Sequence, residues 1–481
     1  MNYNYIFLRF FQKAIQQLKM NRILLIILNI LFFISVFSQA YGQNINNNLR
    51  TLDNNEAIAA DSSERNLYRK IKEIPFSQKD NSPRLSVGGE IREQLRSFNP
   101  INWGDVPEGQ NENDTYLNQR YMLHTDLRLN NTFRIFAQLN SNLTLGKDVV
   151  TGIDRDELGV MQGFLEINFK SAQMSFRAGR QELCYGAERM ISTRDGPNVR
   201  QHFDGLRYII HLKRTTVDFL AVYPVTNNTG VFDNTTNTNN LIYGTYWTTV
   251  LKNNTILEMY YFRNDLKEMR VYTDTVNESR NSFGGRLSKS AGSFFYDLET
   301  TWQLGTYDKY NLSAFHITSI LGYRWNGYMS PRFQIKGAIF SGNKDSTGQE
   351  FNYFRPVSAK PPVTVMAPIG PANIILLAPE GEIIVNEKVG LIFRYFAVWR
   401  YSKNDGMYNT RMDRMIREAD KPGDIKGTFI TSGVNAQIDY YANKHLTLSL
   451  SPGYFAAKEY IENTGVGKDN KVIFATVWYR F

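Results

Sequence analysis

Apolar and polar residues alternate along most of the chain from about residue 85 onward. In the segment YMLHTDLRLN, Leu123 and Leu127 fall on one face of an extended strand, and Asp126 and Arg128 fall on the other. The same two-residue period returns in FRIFAQLNSNLTL, FFYDLETTW and VGLIFRYFAVWRY. Segments of about ten residues with this period are typical of β-strands that have one apolar face.

Two kinds of connection join these segments. Very short polar turns, such as NN at 130–131 and ANK at 442–444, alternate with long loops rich in Asn, Asp, Gly and Pro. Bacterial outer-membrane barrels have tight turns on the periplasmic side and long loops outside, so we predict an all-β fold, a transmembrane antiparallel β-barrel of about 18 strands in the bacterial outer membrane. The predicted strands cover residues 85–97, 119–130, 132–146, 159–169, 174–182, 202–212, 215–224, 241–252, 254–264, 280–289, 293–304, 311–325, 330–342, 372–385, 388–401, 427–441, 445–458 and 471–481, and the predicted long loops cover 98–118, 182–201, 225–240, 265–279, 342–371 and 402–426.

A soluble all-β protein, such as a tandem sandwich or a propeller, is the alternative fold. The chain shows no repeat of about 40 to 50 residues, which a propeller requires. Aromatic residues make up 14% of the chain and gather near strand ends, as in VYPV, TYWTT and YRWNGY, which is typical of the interfacial girdles of a barrel. The mean hydropathy of -0.39 excludes a bundle of membrane helices.

The N-terminus has the pattern of a secretory signal. The apolar run ILLIILNILFFISVF follows Arg22, and Ala40 and Gly42 have the spacing of a signal-peptidase site. The run is shorter than the roughly 20 residues of a membrane-spanning helix, and Met20 is an alternative start. A short helix is predicted near SERNLYRKIKEI. The predicted domains are a signal peptide at 1–42, a flexible periplasmic leader at 43–84 and the outer-membrane barrel at 85–481.

Charge and motif content exclude several classes of function. The formal net charge is +9, and four basic residues without any acidic residue lie in the predicted signal peptide, which leaves +5 for the mature chain. This small excess over a long chain is not typical of nucleic-acid binding. Cys184 is the only cysteine, which excludes a disulfide within the chain, and the five histidines are scattered. Without metal-ligand spacing or a G-x-S-x-G, H-E-x-x-H or P-loop motif, we predict no enzymatic activity, no cofactor and no metal.

The chain ends on an alternating strand, VIFATVWYRF. Tyr479 and Phe481 fall on its apolar face, which in a closed barrel meets lipid at the periplasmic interface. A terminal aromatic residue in this position resembles the signal that the barrel assembly machinery recognises. We therefore expect Tyr479 and Phe481 to form an assembly signal, with that machinery and outer-membrane lipid as partners.

The polar face of each strand is predicted to line the lumen. Its basic residues are mostly arginines, whose planar guanidinium groups bind carboxylates through paired hydrogen bonds. They outnumber the acidic residues, so the lumen is expected to favour anions such as carboxylated sugars. The alternative is that the charges neutralise one another and only keep the lumen wet. The basic set is Arg128, Arg134, Arg177, Arg207, Arg286, Arg332, Lys336, Arg394, Arg400 and Arg480, and the acidic set is Asp126, Glu166, Asp218, Asp297, Glu299 and Asp439.

Several separated motifs resemble one known family. SFRAGRQELCYGAERMISTRDGPNVRQHFDGLRY contains G-R-Q-E-L-x-Y-G followed by F-D-G-x-R. Together with IGPANIILLAPEGEI, FAVWRYSKNDGMYN and FAAKEYIENTGVGKDNKVIFATVWYRF, this stretch resembles the outer-membrane alginate export channels from about residue 85 onward. The resemblance implies an 18-stranded barrel, an electropositive constriction through which an anionic polyuronate is secreted, and loops that occlude the pore.

The resemblance also implies which residues meet the polymer. The constriction is expected to contain Arg180, Gln181, Glu182, Arg189, Arg194, Arg200, Asp204 and Arg207. Among these, Glu182 and Asp204 are expected to position arginines. With the lumen residues, the expected substrate pathway is Arg128, Arg134, Arg177, Arg180, Arg189, Arg194, Arg200, Arg207, Arg394 and Arg400. The apolar segment EFNYFRPVSAKPPVTVMAP departs from the family pattern and leaves the identity of the polymer open.

Two functions follow for such a barrel. The first is export of an alginate-like anionic polysaccharide by a monomer, with periplasmic secretion proteins as partners and no role for nucleic acid. The alternative is an anion-selective porin that takes up acidic oligosaccharides, because a passive pore does not fix the direction of transport. A TonB-dependent receptor is disfavoured, because the segment between Gln43 and Leu85 is too short for a plug domain.

Overall fold

The computed structural model describes residues 49–52, 55–60, 66–77, 79, 82–271, 274–344, 350–364, 366–412, 414–421 and 423–481. The predicted signal peptide at 1–42 lies outside these residues. Within the described ranges, no helix combines the length and the apolar character needed to cross a membrane.

Eighteen long strands form one closed antiparallel barrel, as the sequence predicts. Successive strands pair with one another, and the last strand pairs with the first. Closure leaves no unpaired strand edge facing lipid. The strands are β1 Arg84–Asn99, β2 Asp114–Arg128, β3 Phe133–Leu145, β4 Asp156–Phe169, β5 Met174–Gln181, β6 Phe203–His211, β7 Thr215–Thr226, β8 Asn240–Val250, β9 Thr255–Val271, β10 Asp274–Lys289, β11 Phe294–Tyr307, β12 Tyr310–Arg324, β13 Arg332–Phe340, β14 Ile374–Asn386, β15 Val389–Arg400, β16 Phe429–Tyr441, β17 Leu446–Ala457 and β18 Asn470–Arg480.

Short elements accompany the barrel. The α-helices are Asn55–Ala60, Asn66–Lys72 and Glu459–Glu462, the 3-10 helices are Arg50–Leu52, Asn102–Gly104, Lys170–Ala172 and Lys252–Asn254, and the short strands are Ile74–Pro75, Thr235–Thr236, Glu350–Phe351, Met407–Tyr408 and Met415–Arg417.

The strand alternation is confirmed, and one predicted loop is corrected. On β3, Phe133 and Ile135 are exposed on the outer wall, whereas Arg134 and Phe136 are buried inside. The predicted loop at 265–279 is instead a hairpin, because β9 and β10 continue their backbone pairing through most of it. Most of its residues are polar, so the apolar alternation weakens there while the hydrogen-bonded ladder continues.

The extracellular half of the lumen contains an apolar core. Two long loops fold inward to form it: the inner loop, residues 182–202, and the second inner loop, of which the structure describes residues 341–344, 350–364 and 366–373. Ile191 of the inner loop and Phe354 of the second inner loop are fully buried in one cluster with inward-facing wall residues such as Phe396. This packing explains the apolar character of the segment after Gln349, because that segment is lumen filling and not an exposed loop.

The described part of the predicted leader packs into the periplasmic end of the barrel. Helix Asn66–Lys72 falls where the sequence predicts one. Its last residue, Lys72, is 1% exposed, and the Lys72 carbonyl accepts a hydrogen bond of 2.6 Å from the Ser86 hydroxyl of β1. The Thr51 carbonyl accepts a hydrogen bond of 2.9 Å from Arg134 of β3. The flexibility of the leader stays a prediction.

Candidate functional site

The inner loop spans the lumen from one wall to another. Arg189 donates a hydrogen bond of 2.6 Å to Glu299 on β11. Nearer its end, the Pro197 carbonyl accepts a hydrogen bond of 2.7 Å from Arg120 on β2. Because β11 and β2 are far apart around the barrel, these contacts show that the loop crosses the channel.

A buried cluster of charges holds the end of the inner loop. Asp195 accepts hydrogen bonds of 2.5 Å from Arg120 and 2.6 Å from Arg200. Arg120 lies 3.2 Å from Glu90 on β1, and Arg200 lies 3.6 Å from both Glu90 and Glu182. Each buried charge thus has an opposite charge beside it, which is the condition for keeping ions out of water.

The two carboxylates that the inner loop brings to this cluster differ in acidity. Burial acts to raise the pKa of Asp195, but the guanidinium groups of Arg200 and Arg120 outweigh it and hold that pKa well below its usual range. Burial raises the pKa of Glu182 to about 7, because Arg200 offsets the cost of desolvation only in part. Asp195 is therefore a permanent anion, whereas Glu182 changes its charge near neutral pH.

The second inner loop packs against the inner loop. The Ser358 hydroxyl donates a hydrogen bond of 2.9 Å to the Ser192 carbonyl, and Lys360 pairs with Glu188. Two strands of extended chain therefore lie side by side in the lumen.

Most arginines that the sequence places in the lumen are paired with carboxylates. Arg134 donates hydrogen bonds of 2.8 Å to Asp126 and 3.3 Å to Glu166. Arg128 is more accessible, because 42% of its side chain is exposed and Asp126 lies 3.6 Å away. These pairs neutralise much of the basic surplus that the sequence predicts. The other contacts are Arg177 with Glu166, Arg207 with Asp218, Arg286 with Asp297, Arg332 with Glu382, Arg394 with Glu380, Arg400 with Asp420, Lys336 with the Pro362 carbonyl and Arg480 with the Trp478 ring.

Arg180 and Asp204 lie on the outer wall, which corrects their expected place at the constriction. Arg180 follows Arg177 by three positions on β5, and the two-residue period of a strand turns their side chains to opposite faces. Two hydrogen bonds of 2.7 and 2.8 Å join the Arg180 guanidinium to Asp204 on β6. The Thr236 hydroxyl donates a further hydrogen bond of 2.6 Å to Asp204. Asp204 is thus paired with an arginine, but outside the lumen, and its positioning role stays a prediction.

Two glycines let β5 and β6 pass close to their neighbours before the inner loop. Gly179 and Gly205 stand opposite each other, with φ of 130° and 156°. A Cβ on Gly179 would lie 2.3 Å from the Gly163 carbonyl oxygen, and a Cβ on Gly205 would lie 2.3 Å from the Ala221 carbonyl oxygen. Only glycine fits both positions.

The predicted site lacks three residues that hold the inner loop: Glu90, Arg120 and Asp195. The alternation of β1 and β2 places Glu90 and Arg120 on the polar face, so the strand pattern alone could have predicted that both side chains face the lumen. Asp195 lies within the family-like motif, but its partner on β2 is 75 positions away in the chain. Only the folded barrel brings this pair together.

An extracellular chamber of about 840 Å³ opens beside the end of the inner loop. Phe98 and Tyr116 lie in its wall with ring centroids 6.2 Å apart. Arg194, a predicted pathway residue, is also part of this wall. Tyr116 is buried, whereas the Phe98 ring is half-buried. An apolar ring beside cationic groups suits an acidic sugar, whose ring packs on the aromatic ring and whose carboxylate pairs with a cation. The five cations in the wall are Arg96, Lys147, Arg194, Arg411 and Arg414, and the three carboxylates are Asp114, Asp148 and Asp154.

A family model described as alginate export matches residues 83–474 of the chain. This match covers nearly all of the barrel, from the start of β1 into β18. No curated protein sequence matches the chain.

Solved structures with the same fold are distant in sequence. OccK11 (OpdR) of Pseudomonas aeruginosa is 10% identical with a TM-score of 0.52, and the alignment covers 85% of this chain and 99% of that chain. The BenF-like porin of Pseudomonas fluorescens Pf-5 is 10% identical with a TM-score of 0.55, covering 82% and 99%. OccK2 (OpdF) of Pseudomonas aeruginosa, solved in complex with glucuronate, is 9% identical with a TM-score of 0.53, covering 82% and 98%. At these identities the similarity concerns the fold alone.

Proposed function

The chain belongs to the alginate export family, and from this premise we propose that it exports an anionic polyuronate through its lumen. The family and the porin-like fold make it an outer-membrane β-barrel channel. The chemistry of the polymer and the direction of transport are the proposed part. The substrate pathway comprises the lumen arginines and the extracellular chamber, and excludes Arg180.

The extracellular chamber is the observation that carries the proposal. Its wall has five cations and three carboxylates, so the wall residues together carry a net positive charge. The half-buried ring of Phe98, which packs on the buried ring of Tyr116, adds an apolar surface beside these charges. A polymer of acidic sugars offers both complements, a carboxylate and an apolar ring face, at every residue.

The ion pairs of the lumen suit a polymer that must keep moving. A row of unpaired arginines would hold a polyanion at many points at once. A wall carboxylate, such as Glu380 beside Arg394, competes with the polymer for the guanidinium and weakens each contact. The lumen then offers many weak contacts, which favours sliding over tight binding.

The test is electrical recording of the purified barrel in planar lipid bilayers. We expect a reversal potential that indicates anion preference, and a current that falls when polyuronate, but not a neutral glucan of equal length, is added. Arg414→Gln in the chamber wall should weaken the block, whereas Lys403→Gln, an exposed position of the same loop, serves as the matched control. Cation preference, or equal block by the neutral glucan, would reject the proposal.

A second candidate is a porin that takes up small acidic sugars. The observation in its favour is the glucuronate complex of the similarly folded OccK2, because the same barrel architecture there holds a single sugar acid. The two functions differ in the size of the solute that passes. Liposome swelling with glucuronate, combined with block by polymer, separates them: a porin admits the monomer rapidly, whereas a dedicated exporter with its inner loops in place admits it slowly.

A further inference from the structure

A second cavity lies at the opposite end of the lumen. This periplasmic chamber has a volume of about 1010 Å³ and opens among the short turns, between the start of β1 and the ends of β2, β4 and β6. Short turns mark the periplasmic side of an outer-membrane barrel. The chamber therefore lies where a polymer coming from the periplasm first meets the protein.

The wall of the periplasmic chamber is strongly basic. Its charged residues are four cations, Arg84, Arg128, Arg134 and Lys213, and one carboxylate, Glu166. The carboxylate is already engaged by Arg134 and by a further arginine of β5. Carboxylates outside the wall also pair with two of the cations, Glu73 with Arg84 and Asp126 with Arg134.

Two of these cations are accessible to a ligand. The Arg128 side chain is 42% exposed, and its nearest carboxylate, Asp126, is 3.6 Å away, which is longer than a hydrogen bond. Lys213 is exposed, and within the described part of the chain no ion pair reaches its ammonium group. Both side chains can turn toward a carboxylate without breaking a short hydrogen bond.

Neutral polar side chains complete the wall. Asn168 and Ser175 stand on neighbouring strands and are joined by a hydrogen bond of 2.8 Å. Their remaining donor and acceptor capacity suits sugar hydroxyls. The volume reaches the upper end of the roughly 300 to 1,000 Å³ typical of ligand sites, which is enough for a short run of sugar rings.

We infer that the periplasmic chamber is a loading site, which binds a short stretch of uronate residues before the polymer enters the narrowed lumen. This inference rests on the proposed export function and adds a separate binding step to it. Arg128 and Lys213 pair with successive carboxylates of the polymer. Arg84 and Arg134 are positioning residues, because they also bind Glu73 and the Thr51 carbonyl of the N-terminal segment.

The experiment compares the two sides of the channel. Barrels of known orientation in a planar bilayer receive a defined oligouronate on the periplasmic or the extracellular side. In the double variant Arg128→Gln, Lys213→Gln, block from the periplasmic side should weaken about tenfold or more, since each lost charge-assisted contact is of the order of one decade in affinity. Block from the extracellular side should change little. Lys252→Gln, an exposed position on a short turn outside the chamber, is the matched control.

The outcomes separate the loading site from the export function. If oligouronate on the periplasmic side blocks the double variant as strongly as it blocks the wild-type barrel, the loading site is rejected and the export function stands. If oligouronate does not block the wild-type barrel from either side, the export function itself fails. If inorganic phosphate at equal charge blocks the current from the periplasmic side as strongly as the oligouronate does, the chamber is a general anion site. The loading inference is then overturned.

Discussion

Asp195 of the inner loop accepts a hydrogen bond of 2.5 Å from Arg120 of β2, whose side chain is completely buried. Arg200 and Arg92 also face this carboxylate, at 2.6 and 3.7 Å. Removing one member of a buried ion pair is costly, because it leaves the remaining charge without a partner. The Asp195 carboxylate is therefore a central anchor of the end of the inner loop, beside the Pro197 carbonyl, which also accepts a hydrogen bond from Arg120.

Replacing Asp195 with alanine should release the inner loop. The change leaves three arginines facing one another and costs about 3 to 5 kcal/mol, so we expect a higher single-channel conductance and a lower melting temperature. Glu387→Ala, at an exposed turn, is the matched control. Unchanged conductance together with a lower melting temperature would show that the loop stays in the lumen without this anchor.

Glu182 should make the stability of the protein depend on pH. Its pKa rises from 4.5 to about 7 on folding because of burial, so the folded protein binds this proton more tightly than the unfolded chain does. The free energy of unfolding should therefore fall as the pH rises from about 4.5 to about 7, by an amount on the order of 1 to 3 kcal/mol. Glu182→Gln, which mimics the protonated group, should flatten this part of the profile.

The measurement is the melting temperature in detergent between pH 5 and pH 8. Glu112→Gln removes an exposed carboxylate that pairs with Lys468 and serves as the control. Parallel profiles for the wild-type protein and Glu182→Gln would contradict the assignment of this titration to Glu182.

Arg394 and Arg180 should respond differently to the same substitution. Arg394 faces the lumen beside Glu380, so Arg394→Ala should weaken polyuronate block, and Arg394→Lys should retain anion preference while it loses the paired geometry. Arg180 lies on the outer wall, so Arg180→Ala should leave block unchanged and lower stability by about 1 to 3 kcal/mol through the loss of its contact with Asp204. Weaker block in Arg180→Ala, with folding intact, would place this arginine back on the substrate pathway.

The two-residue period of the strands correctly predicts which side chains face the lumen and which face outward. It does not predict the loops and ion pairs that fill the lumen. Leu123 and Phe133 face outward, and Asp126 and Arg134 face inward, as the alternation requires. Position within a strand is a local property, so a single sequence reveals it. The same rule also shows why Arg180 differs from Arg177, once the strand is known to be free of a bulge between them.

The lumen depends on contacts between distant parts of the chain. Glu299 lies 110 positions from Arg189, and nothing local in the sequence connects them. The sequence predicts an external loop around Phe354, and its apolar character is explained only by its burial inside the barrel. Counting arginines on inward faces therefore overestimates the positive charge of the channel, because the carboxylates that neutralise them come from other strands and loops.

Phe481 closes the seam between the last strand and the first. Its backbone N–H donates a hydrogen bond of 3.0 Å to the Gly89 carbonyl, and its carbonyl accepts one of 2.8 Å from the Gly89 N–H. A Cβ on Gly89 would lie 2.7 Å from the Phe481 ring, so the absence of a side chain at Gly89 leaves room for the ring. Tyr479, two positions earlier, lies on the same face with its ring centroid 6.0 Å away.

Phe481→Asp should strongly reduce the amount of folded barrel in the outer membrane. The substitution keeps the backbone hydrogen bonds to Gly89, so a large loss reports the side chain, either as an assembly signal or as a lipid contact. Phe133→Asp separates these two roles, because Phe133 is an exposed aromatic residue at the periplasmic start of β3 and carries the same cost of a charge facing lipid. The measurement is the fraction of heat-modifiable barrel in isolated outer membranes. If the Phe481 side chain acts as a recognition signal, the loss should be much larger for Phe481→Asp than for Phe133→Asp. Equal losses would show that Phe481 is an ordinary interfacial aromatic residue.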